Sequence, residues 1–396
     1  MKKLVLILLS VFLLMGSFAG CSTDSDNGDS GDNGSQEKIV IGNLQDLSGA
    51  TSVWGEAVKN GAELYADLVN ANGGINGREV EIITYDIKLD PQEALNAYNR
   101  LVDQDKAVAV IGPPLSNVGL SLAPVAAAKG VPVVGSFIDP RVTLNEDGTP
   151  QSQMFLMQPS SVQYAEIVSD YALNEVGVKN MAVLYDQSNS FAVSQVVPFM
   201  EYFEANGGTI VAEEVYKAGD KDFKVQLNKI KEAGAEALYV PNYVQDLIIT
   251  IQQAEQVGLD VAMFGGLDFA PPFVTLLSDP SQGDNIYFAN NYSDEEPQLV
   301  EVREAFVEKF GEEPINKAYL GYDKMMIIVE ALKNAEEITG PAVTAALENI
   351  DNLQGTTGVI TISPETHQPL GLSMVMYKIE NGEYLDLGRH VPESHK

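Results

Sequence analysis

Histidine and cysteine are the side chains best suited to proton transfer, metal ligation and thiol chemistry near neutral pH. This chain is poor in both. Its three histidines, His367, His390 and His395, lie in the last thirty residues. A serine–histidine–aspartate relay or a histidine-ligated metal needs imidazole at the functional crevice, and a tail is a poor source of it. No H-E-x-x-H, C-x-x-C or G-x-S-x-G run occurs. Gly73-Gly74-Ile75-Asn76-Gly77 lacks the spacing of a dinucleotide loop and precedes a strand pattern rather than a helix. Gly130 and Gly135 are spaced as in a P-loop, but Ser136 stands where a lysine must reach the phosphates. Carboxylates are abundant, and in so acidic a chain most of them are solvated surface. These absences argue against an enzyme and predict no metal and no other cofactor.

The lone cysteine has a different context. Lys2-Lys3 precede an apolar run from Leu4 to Met15, and Gly16-Ser17-Phe18-Ala19-Gly20 lead to Cys21. A positive start, a short apolar run and small residues before a cut are the parts of an export signal. A dozen apolar residues is short for a permanent span. Ala19-Gly20-Cys21 resembles a bacterial lipobox, in which a peptidase cuts before the cysteine and its thiol receives lipid. Phe18 departs from the usual aliphatic residue, and an ordinary signal peptide with an incidental cysteine is the alternative. The segment 22–35 contains only Ser, Thr, Asp, Asn and Gly, the composition of a solvated tether. The predicted organisation begins with a signal peptide over 1–20 and a lipidated cysteine with linker over 21–37. Lipid at Cys21 would fix the protein to the outer face of the cytoplasmic membrane, or in a periplasm.

The formal charge is 24 minus 56, or −32, and loss of Lys2 and Lys3 makes it −34. Nucleic-acid binding needs a basic footprint, so this chain is not a nucleic-acid protein. With no cysteine beyond position 21, the folded part can have no internal disulfide. Some 360 residues exceed one comfortable core and suggest two domains.

From Lys38 onward, short Val- and Ile-rich runs alternate with stretches of helical period. Strands are predicted near 39–41, 80–85, 108–111 and 131–134, with helices near 91–104 and 116–129. A further helix precedes residue 70, with Ala57, Gly61, Leu64 and Leu68 on one face. The pattern restarts with strands near 181–185, 209–216, 237–240 and 261–264. Helices fall near 191–206, 222–233 and 243–257, the second capped by Asp222 and burying Phe223, Leu227 and Ile230. A strand near 285–289 precedes helices at 297–310 and 318–335, and strands near 372–379 and 384–387 end the chain. Strands that are apolar throughout are parallel strands covered on both faces, so the class is α/β.

Several patterns then fall in one order. Ser48-Gly49, Trp54-Gly55 and Gly61 come first. Asn70-Ala71-Asn72-Gly73-Gly74-Ile75-Asn76-Gly77-Arg78, Asp86 and Asp90-Pro91 follow. Ile111-Gly112, Asp139-Pro140-Arg141-Val142-Thr143, Asp222-Phe223 and Gly321-Tyr322-Asp323 complete the set. Over residues 38–390 the chain resembles the leucine/isoleucine/valine-binding family of extracellular solute receptors, the type I periplasmic-binding fold. The resemblance implies two doubly wound parallel-sheet lobes joined by a three-strand hinge. Lobe 1 would take 38–157 and 291–365, lobe 2 158–290 and 366–390, with a tail at 391–396. A small ligand, an amino acid or related carboxylate, would be enclosed between them and passed to the permease and ATPase of an ABC importer. The receptor itself would be a monomer. A ligand sensor or assembly lipoprotein of the same fold is the alternative, and permease genes beside this one would separate the two. An α/β enzyme is the alternative of a different class, and turnover of the bound molecule would reveal it.

The resemblance also names site residues. Ser116, at a helix start, matches the serine that holds the ligand carboxylate, while a simple N-cap is its local alternative. Ser136 matches a second contact. Ile138 stands where the family commonly has a threonine at the amino-acid head group, and isoleucine has no polar atom to offer. That leaves room for a carboxylate without an α-amine. Trp54 occupies the position of an aromatic wall over the ligand side chain. Tyr243 matches a lobe 2 tyrosine, and Phe191 matches another after a small choice of alignment. Asp268 stands one residue beyond the acid that pairs with a ligand ammonium, with a helix cap before Pro271 as the alternative.

Overall fold

The structure, a computed structural model, describes residues 37–293, 296–370 and 373–392. Cys21, its linker and His395 lie outside the described residues.

Five parallel strands form the first sheet, in the order β2-β1-β3-β4-β5. They are β1 (Ile39–Gln45), β2 (Val80–Asp86), β3 (Ala109–Ile111), β4 (Val133–Gly135) and β5 (Met154–Leu156). Helices α1 (Ser52–Ala71), α2 (Pro91–Asp103) and α3 (Ser116–Lys129) make the first three crossovers. The Asn-Gly-Gly-Ile-Asn-Gly-Arg run is the turn from α1 to β2. Gly73, Gly74, Asn76 and Gly77 all take positive φ there, and Ile75 bridges back to Arg78. Asp90 caps α2, accepting from the amides of Gln92 and Glu93, with Pro91 at the first helical position.

Helices α4 (Ser161–Tyr171), α5 (Ser190–Ala205), α6 (Lys224–Glu232) and α7 (Val244–Val257) belong to the second set. Its parallel strands are β6 (Asn180–Asp186), β7 (Thr209–Tyr216), β8 (Ala237–Tyr239), β9 (Ala262–Gly265) and β10 (Ile286–Asn290). The chain then returns to the first sheet with α8 (Pro297–Phe310), α9 (Asn316–Asn334), α10 (Gly340–Leu347) and the hairpin of β11 (Leu353–Gly355) and β12 (Gly358–Ile360). Met325 to Val329, Ala331 and Leu332 of α9 share one core with Ile39, Ile41, Ala109 and Phe155. Finally β13 (Met374–Glu380) pairs antiparallel with β10, and β14 (Glu383–His390) with β13. The second sheet is therefore mixed, in the order β14-β13-β10-β9-β8-β6-β7.

The chain passes between the two sets three times, between β5 and α4, between β10 and α8, and between β12 and β13. Met157, Gln158, Asn291, Thr357 and Ser373 line a small crevice where these crossings meet. Glycine brings α9 close to α1: a β-carbon at Gly61 would lie 1.9 Å from the carbonyl oxygen of Ala318, and one at Gly321 2.2 Å from that of Val58.

Three expectations need revision in detail. Leu68 lies outside the buried face of α1 and is 48% exposed, because Val58, Ala62, Ala66 and Val69 form that face instead. The helix predicted from 222 begins at Lys224, with the Asp222 carboxylate accepting from the Lys224 amide at 3.1 Å. The one predicted from 318 begins at Asn316, which adds Lys317 to its first turn.

Candidate functional site

The carboxyl ends of β3 and β4 carry one wall of the site. Ser116 is the first residue of α3, but it caps nothing in its own helix, whose N-cap is Leu115. Its Oγ instead accepts from the backbone amides of Ile138 and Asp139, at 3.2 and 3.3 Å, in the loop beyond β4. Ser136, buried in that loop, accepts at its Oγ from Lys324 Nζ at 3.2 Å. Lys324, on α9, also donates to the carbonyl of Gly112 at 3.1 Å. Both hydroxyls thus have lone pairs engaged and an O–H left to donate. The Ile138 side chain is half-buried beside them.

The loop carrying Ser136 and Ile138 is tied to the hinge. Gln158, in the first crossing, donates to the Ser136 carbonyl at 2.6 Å and accepts from Asn291 of the second crossing at 3.3 Å. The amide of Ser161 donates to the Ile138 carbonyl at 2.6 Å. Asp323, beside Lys324 on α9, accepts from the amides of Thr356 and Thr357 and from the Thr357 hydroxyl, all within 2.9 Å. The Gly-Tyr-Asp pattern therefore fastens α9 to the hairpin near the third crossing. Burial raises the pKa of Asp323, an effect these donors oppose.

The carboxyl ends of the second sheet carry the opposing groups. Phe191, at the start of α5, and Tyr243, just before α7, stack with ring centroids 5.2 Å apart. Tyr243 remains 49% exposed. Asp268 lies in a short turn of 3-10 helix after β9 whose N-cap is Gly266, so it does not act as the cap before Pro271. Burial pushes its pKa up to about 7, against the pull of Lys317. Lys317, in the first turn of α9, is pushed down to about 8 by burial, against the pull of Asp268. Its Nζ lies 5.6 Å from the ring centroid of Trp54 at the start of α1, within cation–π range. Each charge thus meets its opposite from the other set of elements.

The predicted residues accordingly fall into two facing groups. Trp54, Ser116, Ser136 and Ile138 lie with the first sheet, and Phe191, Tyr243 and Asp268 with the second. Sequence reasoning missed Lys317 and Lys324. A signal was present: both stand in a helix whose positions 318–321 and 325–329 are buried without a break. Charges inside such a helix have to be solvated by a site, a partner or the backbone. The two described histidines are remote from this chemistry. His367 stacks on Phe155 and contacts Glu348 at 3.1 Å, and His390 contacts Asp170 at 2.8 Å. Among the described residues, no cluster of three His, Cys, Asp or Glu side chains could hold a metal ion. No described helix is long and apolar enough to cross a membrane.

A periplasmic binding protein family model matches residues 38–383. The amino acid binding protein of Pseudomonas aeruginosa is 28% identical over 303 residues, 75% of this chain and 79% of its own. The Leu/Ile/Val-binding protein BraC3 of Rhizobium johnstonii is 25% identical over 349 residues, 87% of this chain and 92% of its own. Among solved structures, the branched-chain amino acid transporter substrate-binding protein LivJ of Streptococcus pneumoniae, in complex with isoleucine, superposes with a TM-score of 0.77. That match is 27% identical and covers 90% of this chain and all of that one. Two α/β lobes, three crossings and facing strand ends, together with a family match across nearly the whole described chain, make this protein a member of the periplasmic binding protein family, a non-catalytic solute-binding protein of the ABC-transporter type.

Proposed function

We propose that this protein captures a small carboxylate-bearing ligand, an amino acid or a related acid, between its lobes and delivers it to an ABC permease and its ATPase. The observation that carries the reading is the state of Ser116 and Ser136. Both hydroxyls accept hydrogen bonds from fixed donors and keep an O–H to give, which suits an anion and not an ammonium. Trp54, Phe191 and Tyr243 would form the apolar walls around the rest of the ligand, Ile138 would close the floor by contact alone, and Asp268 would face it from lobe 2. The lobes are taken as 38–157 with 291–365 and 158–290 with 366–390. Lipid on Cys21 would hold this exported receptor at the membrane surface.

Closure about the ligand tests the reading. Calorimetry identifies a binder from a panel of aliphatic and aromatic amino acids and their deaminated acids, and small-angle scattering then follows the particle at saturation. A smaller radius of gyration in the bound state is expected, since hinge closure around a ligand is a recognised motion of two-lobed receptors. Binding confined to molecules without a carboxylate would refute the carboxylate site.

A further inference from the structure

Among the described residues, Lys324 is an unusual ionisable group. It has no exposed surface, and among the described residues no carboxylate lies within ion-pair distance of it. Burial, and then the like charge of Lys317, hold its pKa well below the ordinary lysine value, so its charged form lacks compensation in the protein alone. Its two partners, the Gly112 carbonyl and the Ser136 hydroxyl, are neutral. Both lie at the carboxyl ends of strands, where parallel sheets place their ligands.

The neighbouring acids are already committed. Asp323 is held by Thr356 and Thr357, and Asp139 is paired with Arg141. Asp268, across the cleft, is drawn to Lys317. Of the two lysines behind the cleft wall, Lys317 feels the opposite charge of Asp268 and Lys324 feels none.

We propose that Lys324 is the counter-charge of the ligand carboxylate, acting through Ser136, and that the cleft therefore selects a ligand with a net negative charge over a zwitterionic amino acid. This rests on the carboxylate reading above. When Lys324 is protonated it can only donate to the Ser136 hydroxyl, so the serine proton points to the ligand. The incoming carboxylate supplies the opposite charge that favours the protonated form of Lys324. Lys324 is a positioning and specificity residue here, since Ser136 stands between it and the cleft.

The test compares L-leucine with 4-methylpentanoate, the same skeleton without the amine, and with the neutral 4-methylpentanamide. Benzoate and succinate widen the set of anions. Affinities are measured by calorimetry for the purified protein and for Lys324→Met and Lys324→Gln. In wild type, an anion of the panel should bind more tightly than L-leucine, and the amide should bind weakly or not at all. Both variants should lose about 10- to 100-fold for the anion, the worth of a charge-assisted contact, with little change for the amide. The melting temperature of the unliganded protein should stay level or rise in Lys324→Met, because a fully desolvated amine without an opposite charge has been removed. A merely structural lysine would lower the melting temperature and weaken all ligands alike, and that result would overturn the proposal. So would unchanged anion affinity in both variants, or a preference for L-leucine that survives them, either of which leaves the carboxylate reading standing. Exclusive binding of the amide, or no binding by any carboxylate of the panel, would overturn that reading as well.

Discussion

Asp268 and Lys317 should imprint a pH dependence on stability, and Asp268→Asn isolates half of it. The aspartate pKa is raised from 3.8 to about 7 by burial. Between those values the folded protein holds a proton that the unfolded chain has released. Stability from this group is therefore complete below pH 3.8 and is lost as pH rises to 7. From pH 5 to pH 7 an unscreened shift of that size would be worth about 2.5 kcal/mol at most, at about 1.4 kcal/mol per unit. Part of the side chain reaches solvent, which brings the expected figure to about 1 kcal/mol. Asparagine keeps the shape and carries no charge at either pH. Urea unfolding of wild type and variant at pH 5 and pH 7 is the assay. The advantage of the variant over wild type should grow by about 1 kcal/mol between the two pH values. The change across pH matters more than either absolute value, because Asp268 also supports the charge of Lys317. Parallel losses in both proteins would refute the placement of Asp268 in a desolvated cleft wall. Lys317, lowered from 10.5 to about 8, acts in the other window: stability present above pH 10.5 is lost as pH falls through 8.

Three further outcomes are expected. Ser116→Ala should weaken a bound carboxylate by about 1–3 kcal/mol in calorimetry, since the anion loses a hydroxyl donor and two backbone amides are left without their acceptor. Trp54 is the sole tryptophan, so its emission should shift on titration with a carboxylate ligand, and unchanged emission at saturation would remove it from the cleft wall. Cys21→Ser should release the protein from the membrane fraction or leave an uncut precursor, whereas normal processing and retention would sink the lipid anchor.

Much of the fold was legible because its signals are local. Val- and Ile-rich runs mark buried parallel strands, and Asp90-Pro91 or Gly130 mark helix ends whose capping geometry is set within a few residues. What escaped was short or defined at a distance. β5 has three residues and follows a turn-rich segment, so no period could develop. α4 opens on a Ser160–Gln163 capping box that was readable but is followed by a mixed polar and apolar face. The docking of the last two strands against β10 is a long-range pairing that no local pattern encodes. The site divides in the same way. Ser116, Ser136 and Tyr243 stand at the ends of recognisable elements, where a resemblance can name candidates. Lys317 and Lys324 matter only because α9 packs against α1 and lies behind β3 and β4, and that packing joins residues about two hundred positions apart.

The most direct measurement is to purify the protein without added ligand, denature it and identify by mass spectrometry the small molecule released. The account predicts one organic carboxylate per chain, carried over from the cell in a closed cleft. A stoichiometric companion without any carboxylate group would contradict it.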